Sequence, residues 1–344
     1  MTNGGDVGSG RSGGSGAPGG CVLERVMPSH VFADMAVAVT PDGSRVVAAG
    51  GDGMIRIWNL ETGELERDFR ADEIDSPHLT VLGGGCVWSV VVTPDGRRIV
   101  SGGSDGAVRV WDLATGQLEL EIQAHDGEVN AVAISPDGTR IASAGMDYSA
   151  CLWSLATGDL EHELTADRAI SSRPLYSYGV RAVVFTPDGR HVISDAARRE
   201  AALQVWDVAT GRLELTLDGP EDQAHALAVT PDGSRAVSGG DDGKLRVWSL
   251  AGGHLERTIE GHAEEVRALA ITPDGRDVVS GDYDGVVLVT ALAGGRVEFK
   301  LEASHGSTLA IALTPDGRRI VTSGDDGEMR VWSLRSGLAL AGPA

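Results

Sequence analysis

His125, Ser143 and Asp147 are the residue types of a nucleophilic triad: a hydroxyl, an imidazole to take its proton, and a carboxylate to orient the imidazole. Acidic turns also recur, GGDG at 50–53, GSDG at 103–106, GDDG at 240–243 and DYDG at 282–285, and such carboxylates can hold calcium. They lack the ligand spacing and closing Glu of a calcium loop, and Asp-Gly is equally what a tight hairpin demands. GGDG opens no helix, so it is not a phosphate loop. Cys21, Cys86 and Cys151 are too widely spaced for a metal signature or a disulfide framework. No cofactor and no metal is expected. The triad-like residues are read as structural, because of where they recur.

They recur inside a repeat. Pro-Asp-Gly, always preceded by Thr or Ser, occurs seven times, at Pro41, Pro94, Pro136, Pro187, Pro231, Pro273 and Pro315. Successive gaps are 53, 42, 51, 44, 42 and 42 residues, so the unit is 42 residues and two units carry insertions of 11 and 9. Each unit reads as four strands. The first is a short apolar run such as SVVVT (89–93), suited to a place covered on both sides. Pro-Asp-Gly turns the chain. A second strand such as RRIVSGG (97–103) leads to an Asp-Gly hairpin and a third strand such as AVRVWDL (107–113). A Gly-x-Leu-Glu segment opens the fourth.

A single four-stranded unit cannot bury both of its faces, whereas a ring of them buries all but the rim. The expected fold is all-β: a seven-bladed β-propeller of four-stranded antiparallel blades. In complete units the fourth-strand Leu lies seven residues before a His, as in Leu118 to His125 and Leu255 to His262; Leu23 and His30 repeat that spacing. Residues 22–27 are therefore expected to supply the outer strand of the last blade and to close the ring. A longer array cut to size is the alternative. Residues 1–20 read as a disordered Gly/Ser-rich tail or linker, and 21–340 as one propeller.

The repeat resembles the WD-repeat family, and its regular TPDGRRIVSGG-type units resemble propellers of the bacterial type. The resemblance implies a buried hydrogen-bond chain within a blade, joining the Trp that ends the third strand, a hairpin Asp, a Ser or Thr on the second strand, and a His before the first. Trp58, Trp111, Trp153, Trp206, Trp248 and Trp332 occupy the Trp position, but the sixth unit has Thr290 there. Asp52, Asp105, Asp147, Asp242, Asp284 and Asp326 occupy the Asp position, but the fourth unit has Glu200. His125, Ser143, Asp147 and Trp153 make the only full set, and blades four and six are expected to be irregular.

Composition narrows the partners. Lys and Arg number 29 against 50 Asp and Glu, a formal charge of −21. Such a chain repels phosphate backbones and anionic lipid, so no nucleic acid and no membrane surface is expected. No apolar run approaches the ~20 residues of a membrane helix. A cytoplasmic monomer is the expectation.

The residues that break the repeat carry the functional reading. Aligned on Pro-Asp-Gly, the slot at the start of the first strand holds Met35, Trp88, Asn130, Arg181, His225, Arg267 and Leu309. In WD-repeat proteins this slot faces the wide mouth of the central channel. A second ring, just before the hairpin Asp, includes Met146, Asp241, Tyr283 and Asp325. These types are common binding anchors. The insertions, 70–85 and 165–179 with Arg173, Tyr176 and Tyr178, fall between blades and would rise onto the same face. The chain is expected to be a non-catalytic scaffold that binds a protein or peptide there, through Met35, Trp88, Asn130, Met146, Arg181, His225, Arg267, Tyr283 and Leu309. Three other readings stay open. One is a propeller hydrolase using His225, Asp241 or Asp325, which a bound ion would favour; the others are a sensor module of a larger signalling protein and a designed propeller without a partner.

Overall fold

The turn that ends each inner strand is built by its own side chains. The Gly43 amide donates to the Thr40 carbonyl (2.8 Å), with Gly43 at φ 69°, where a Cβ would be strained. The Thr40 hydroxyl donates to the Asp42 carboxylate (2.5 Å) and accepts from the Arg45 amide (3.0 Å). The Thr40 hydroxyl and the Ser44 amide hold the Asp42 carboxyl at about 2, below its ordinary value. The same Thr/Ser–Asp clasp recurs at Thr93–Asp95, Ser135–Asp137, Thr186–Asp188, Thr230–Asp232, Thr272–Asp274 and Thr314–Asp316. A turn assembled this way fixes where each first strand stops.

The computed structural model describes residues 21–28, 34–71, 85–165, 179–196, 202–219 and 224–334. The expected tail 1–20, residues 335–340, Glu200, and most of both insertions with Arg173, Tyr176 and Tyr178 lie outside these. The described residues form twenty-eight strands, β1–β28, in seven four-stranded antiparallel sheets. The inner strands are β2 (Asp34–Val39), β6 (Val87–Val92), β10 (Val129–Ile134), β14 (Val183–Phe185), β18 (Ala224–Val229), β22 (Val266–Ile271) and β26 (Thr308–Leu313). Each touches the inner strand of the next blade, and β26 touches β2, so the sheets form a ring. The protein is a seven-bladed β-propeller.

Apolar side chains fill the seams between blades. Trp111 packs on Val47, Ile55 and Ile57 of the preceding blade, and its ring lies 5.2 Å from that of Phe69. Trp153, Trp206, Trp248, Trp332 and Trp58 make the same seam in their own blades. In the sixth blade Thr290 is buried in the Trp position, and Leu292 fills the seam beside Val247.

The ring closes as the repeat implied. β1 (Cys21–Pro28) pairs antiparallel with β28 (Glu328–Leu334), with Leu23 opposite Trp332 and Met27 opposite Met329. Met27 is buried in the seam with Trp58 and Val331. Five blades join the first residue of the second strand to an outer-strand Glu, as in Arg98–Glu119 and Arg140–Glu161 (2.6 Å). In the last blade that pair is Arg319–Glu24 (2.9 Å), which spans the two ends of the chain. Its outer strand thus carries the same lock as the others.

Within a blade the polar interior is wired in two ways. In the third, the indole N–H of Trp153 donates to Ser143 (2.9 Å), Ser143 meets His125 Nε2 (2.7 Å), and His125 Nδ1 meets Asp147 (3.0 Å). In the first, second, fifth and seventh, the hairpin Asp pairs instead with an Arg four residues on: Asp52–Arg56, Asp105–Arg109, Asp242–Arg246 and Asp326–Arg330. The sixth blade has a second imidazole link that the motif spacing did not reveal. His262 bonds Ser280 (2.7 Å) and, in place of Asp284, Asp282 (2.8 Å), two residues earlier. Asp147 and Asp284 are followed four residues on by Cys151 and Leu288, so His and Arg alternate as partners of the carboxylate.

Two departures have energetic consequences. Trp111, Trp153, Trp206, Trp248 and Trp332 each donate to a second-strand hydroxyl, from Ser101, Ser143, Ser194, Ser238 and Thr322. The first blade has Ala48 at that position, and the Trp58 N–H is buried without a partner among the described residues. In the fourth blade Asp195 ends β15 (His191–Asp195) and takes over part of the inner ladder. One of its oxygens accepts the amides of Arg181 (2.8 Å) and Ala182 (2.9 Å), which explains why β14 is short. Its other oxygen has no partner among the described residues, and burial pushes this carboxyl up to about 7.

Ala48→Ser should give Trp58 its acceptor and raise stability by about 1 kcal/mol, read as a higher thermal midpoint; an unchanged or lower midpoint contradicts the assignment. For Asp195 the folded-state pKa lies above the unfolded one, so the native state binds the extra proton. Its contribution is complete below about pH 4 and is lost as pH rises towards 7. Stability should fall by roughly 2–4 kcal/mol across that window. Asp195→Asn should flatten the decline, and an equally steep decline in the variant would contradict it.

Candidate functional site

The inner strands do not run straight to the channel mouth. In six of the seven the register slips by one residue near the start, at Asp34/Ala36, Val87/Ser89, Val129/Ala131, Ala224/Ala226, Val266/Ala268 and Thr308/Ala310. Each slip is a β-bulge, which leaves one residue unpaired and re-aims its side chain. The residues so released are Met35, Trp88, Asn130, His225, Arg267 and Leu309. Arg181 takes the equivalent place in the fourth blade, just before β14, where Asp195 holds its amide.

All seven side chains, with Met146 and Asp241, line one cavity of about 760 Å³. Glu128 and Glu265 also line it, and sequence reasoning missed both. Each lies eight residues before a Pro-Asp-Gly proline, at a position otherwise held by residues such as Cys86, Gly179 and Ser307. Tyr283 stands exposed beside the cavity and Asp325 lies outside its lining.

The lining is divided by blade. Leu309, Met35, Trp88 and Met146 belong to the seventh, first, second and third blades and form an apolar arc. The Trp88 indole nitrogen is buried and has no partner among the described residues. Arg181, His225, Asp241, Glu265 and Arg267 belong to the fourth, fifth and sixth blades and form a charged arc. Asn130 stands at one junction, its amide donating to the Val180 carbonyl (2.8 Å).

The charged arc is internally paired. His225 contacts the Arg181 guanidinium on one side and the Asp241 carboxylate on the other. Burial, followed by the charge of Arg181, pushes the His225 pKa below its ordinary value. Arg267 pairs with Glu265 (2.5 Å) and lies over the Tyr283 ring at 5.5 Å. Burial pushes the Glu128 carboxyl up.

Triad chemistry has no room at His125. The Trp153 N–H can only donate, so Ser143 accepts it and turns its own proton to His125 Nε2, leaving Nδ1–H for Asp147. Burial would raise the Asp147 carboxyl, but the His125 and Ser149 hydrogen bonds bring it to about 2. Ser143 and the His125 side chain are fully buried, so the hydroxyl faces no substrate. Among the described residues, two other groups bring three potential ligand atoms within 4.8 Å of one another: His225, Asp241 and Glu265 at the channel mouth, and His191, Asp207 and Glu214 on the fourth blade.

Comparisons with known proteins agree with this architecture. Cilia- and flagella-associated protein 52 of Bos taurus is 27% identical over 204 residues, covering 58% of this chain and 29% of that protein. Protein groucho of Drosophila melanogaster is 31% identical over 104 residues, 30% of this chain and 12% of that one. WD repeat-containing protein SL1-17 of Schistosoma mansoni is 24% identical over 184 residues, 54% of each. The chain thus spans under a third of the length of the first two relatives. All three are eukaryotic, so the expected likeness to bacterial propellers finds no support among them. The family described as WD domain, G-beta repeat matches residues 21–59, 76–112, 116–154, 211–249, 253–289 and 296–333. It passes over residues 155–210, which include the first three strands of the blade where Asp195 replaces part of the ladder. With more than half of the chain matched and seven blades in the ring, this protein belongs to the WD domain, G-beta repeat family.

Proposed function

We propose that the protein is a non-catalytic interaction scaffold whose channel mouth docks a peptide or protein segment. The observation that carries this reading is the apolar arc. Six tryptophans fill blade seams, and the seventh, Trp88, is spent on the mouth beside Met35, Met146 and Leu309. Apolar side chains at the centre of a concave surface, rimmed by paired charges, are the usual anatomy of a binding hot spot. The occupant in this reading inserts one large apolar side chain against Trp88 and lays its polar atoms along the charged arc. The formal charge of −21 favours a segment with basic flanks, through steering rather than affinity. It disfavours nucleic acid. Among the described residues no helix is long and apolar enough to cross a membrane. Free thiols at Cys21, Cys86 and Cys151 suit a reducing, cytoplasmic setting, and we propose that the protein works there as a monomer.

Peptides selected from a random display library on the immobilised protein should share an apolar anchor. Trp88→Ala should weaken them by about 2 kcal/mol, roughly thirtyfold, and leave the thermal midpoint within a few degrees. Arg267→Ala should weaken them less. Trp153→Ala should do the opposite, costing roughly 3–5 kcal/mol of stability. A Trp88→Ala protein that unfolds, or selected peptides that bind it unimpaired, would contradict the proposal.

A further inference from the structure

We infer that His225, Asp241 and Glu265 form a binding site for a divalent transition ion of the zinc class. Their ligand atoms lie within 4.8 Å of one another, and all three side chains line the channel mouth. They come from separate places: the bulge of β18, the hairpin after Gly240, and the segment leading into β22. One imidazole and two carboxylates are a donor set suited to zinc and its neighbours, and three protein ligands leave a position for water or another donor.

The repeat separates this cluster from the other one. His191 and Glu214 (2.9 Å) occupy the positions of the Arg–Glu lock of five other blades. The Asp207 carboxylate already accepts the Thr210 hydroxyl (2.6 Å) and amide (2.8 Å), as Asp112 does with Thr115. Those three groups have structural duties that explain their proximity. His225, Asp241 and Glu265 stand in columns where the repeat keeps no common residue, so no duty to the scaffold brings them together.

The arginines define the competition. Arg181 rests against His225 and Arg267 against Glu265, so two guanidinium groups hold positive charge where the ion would add its own. Ion binding must move Arg181 off the imidazole. Removing that charge should therefore strengthen the site, an effect opposite to that of removing a ligand.

The test is a calorimetric titration of the chelator-treated full chain with zinc chloride, with Co²⁺ as a spectroscopic probe. One equivalent should bind at the mouth. His225→Ala should weaken it about a hundredfold and abolish the Co²⁺ visible band; Asp241→Asn, at a more exposed position, should weaken it about tenfold without threatening the fold. Arg181→Gln should tighten it about tenfold. His191→Ala should change nothing. Absence of uptake at millimolar zinc, uptake that survives His225→Ala, or an Arg181→Gln protein that binds more weakly would each overturn the inference. Docking at the apolar arc is read by peptides, so failure here leaves that reading intact; an ion bound here in a protein that selects no peptide would instead favour the propeller hydrolase.

Discussion

Each inner strand of this protein lies between two neighbours, and that condition holds for every blade only if the ring closes. An open array would leave one seam, with its buried Trp or Met, facing water. The chain meets the constraint by giving the last blade an outer strand from the other end of the sequence. Met27 enters the seam beside Trp58, and Glu24 takes the Arg319 partner that the other blades supply from their own outer strands. The exposed ion pair contributes little alone; the buried Met27 and the ladder to β28 carry the closure. Because the blades are held at their inner strands, the bulges at the start of those strands face one another across a single mouth.

Inside the blades a second constraint operates. A hairpin carboxylate near the seam must be matched by a donor, and this chain meets that need in two ways. Where a His precedes the inner strand, as at His125 and His262, the imidazole bridges Ser and Asp. Where it does not, an Arg on the third strand, such as Arg109 or Arg246, reaches back to the carboxylate. Both give the carboxylate a partner, so repeats with different residues keep one backbone. In the fourth blade Asp195 joins the ladder itself.

Much of this was legible in the sequence. Pro-Asp-Gly and the Trp column report turn and seam, which are local, so their spacing counts blades and locates strands. The Leu23-Glu24 pair betrayed the closing strand because an outer strand keeps its own signature wherever it lies in the chain. The mouth was legible only as a column. That Trp88 and His225 project into one cavity depends on the bulges, which are a matter of pairing and leave no mark on residue type. Glu265 escaped notice because it lies before the strand, in a column without a pattern. The exchange of His for Arg is visible once Cys151 and Leu288 are set beside Arg109 and Arg246, but its meaning needs the three-dimensional neighbour. Asp282 replaced Asp284 by a two-residue shift that no fixed spacing anticipates.

Closure is the claim on which the seams, the bulges and the mouth all depend, and amide hydrogen exchange at residues 21–27 addresses it directly. Paired with β28, these amides should exchange far more slowly than free peptide, and together with those of β28. Exchange at the rate of an unstructured chain, with β28 still protected, would contradict the closed ring.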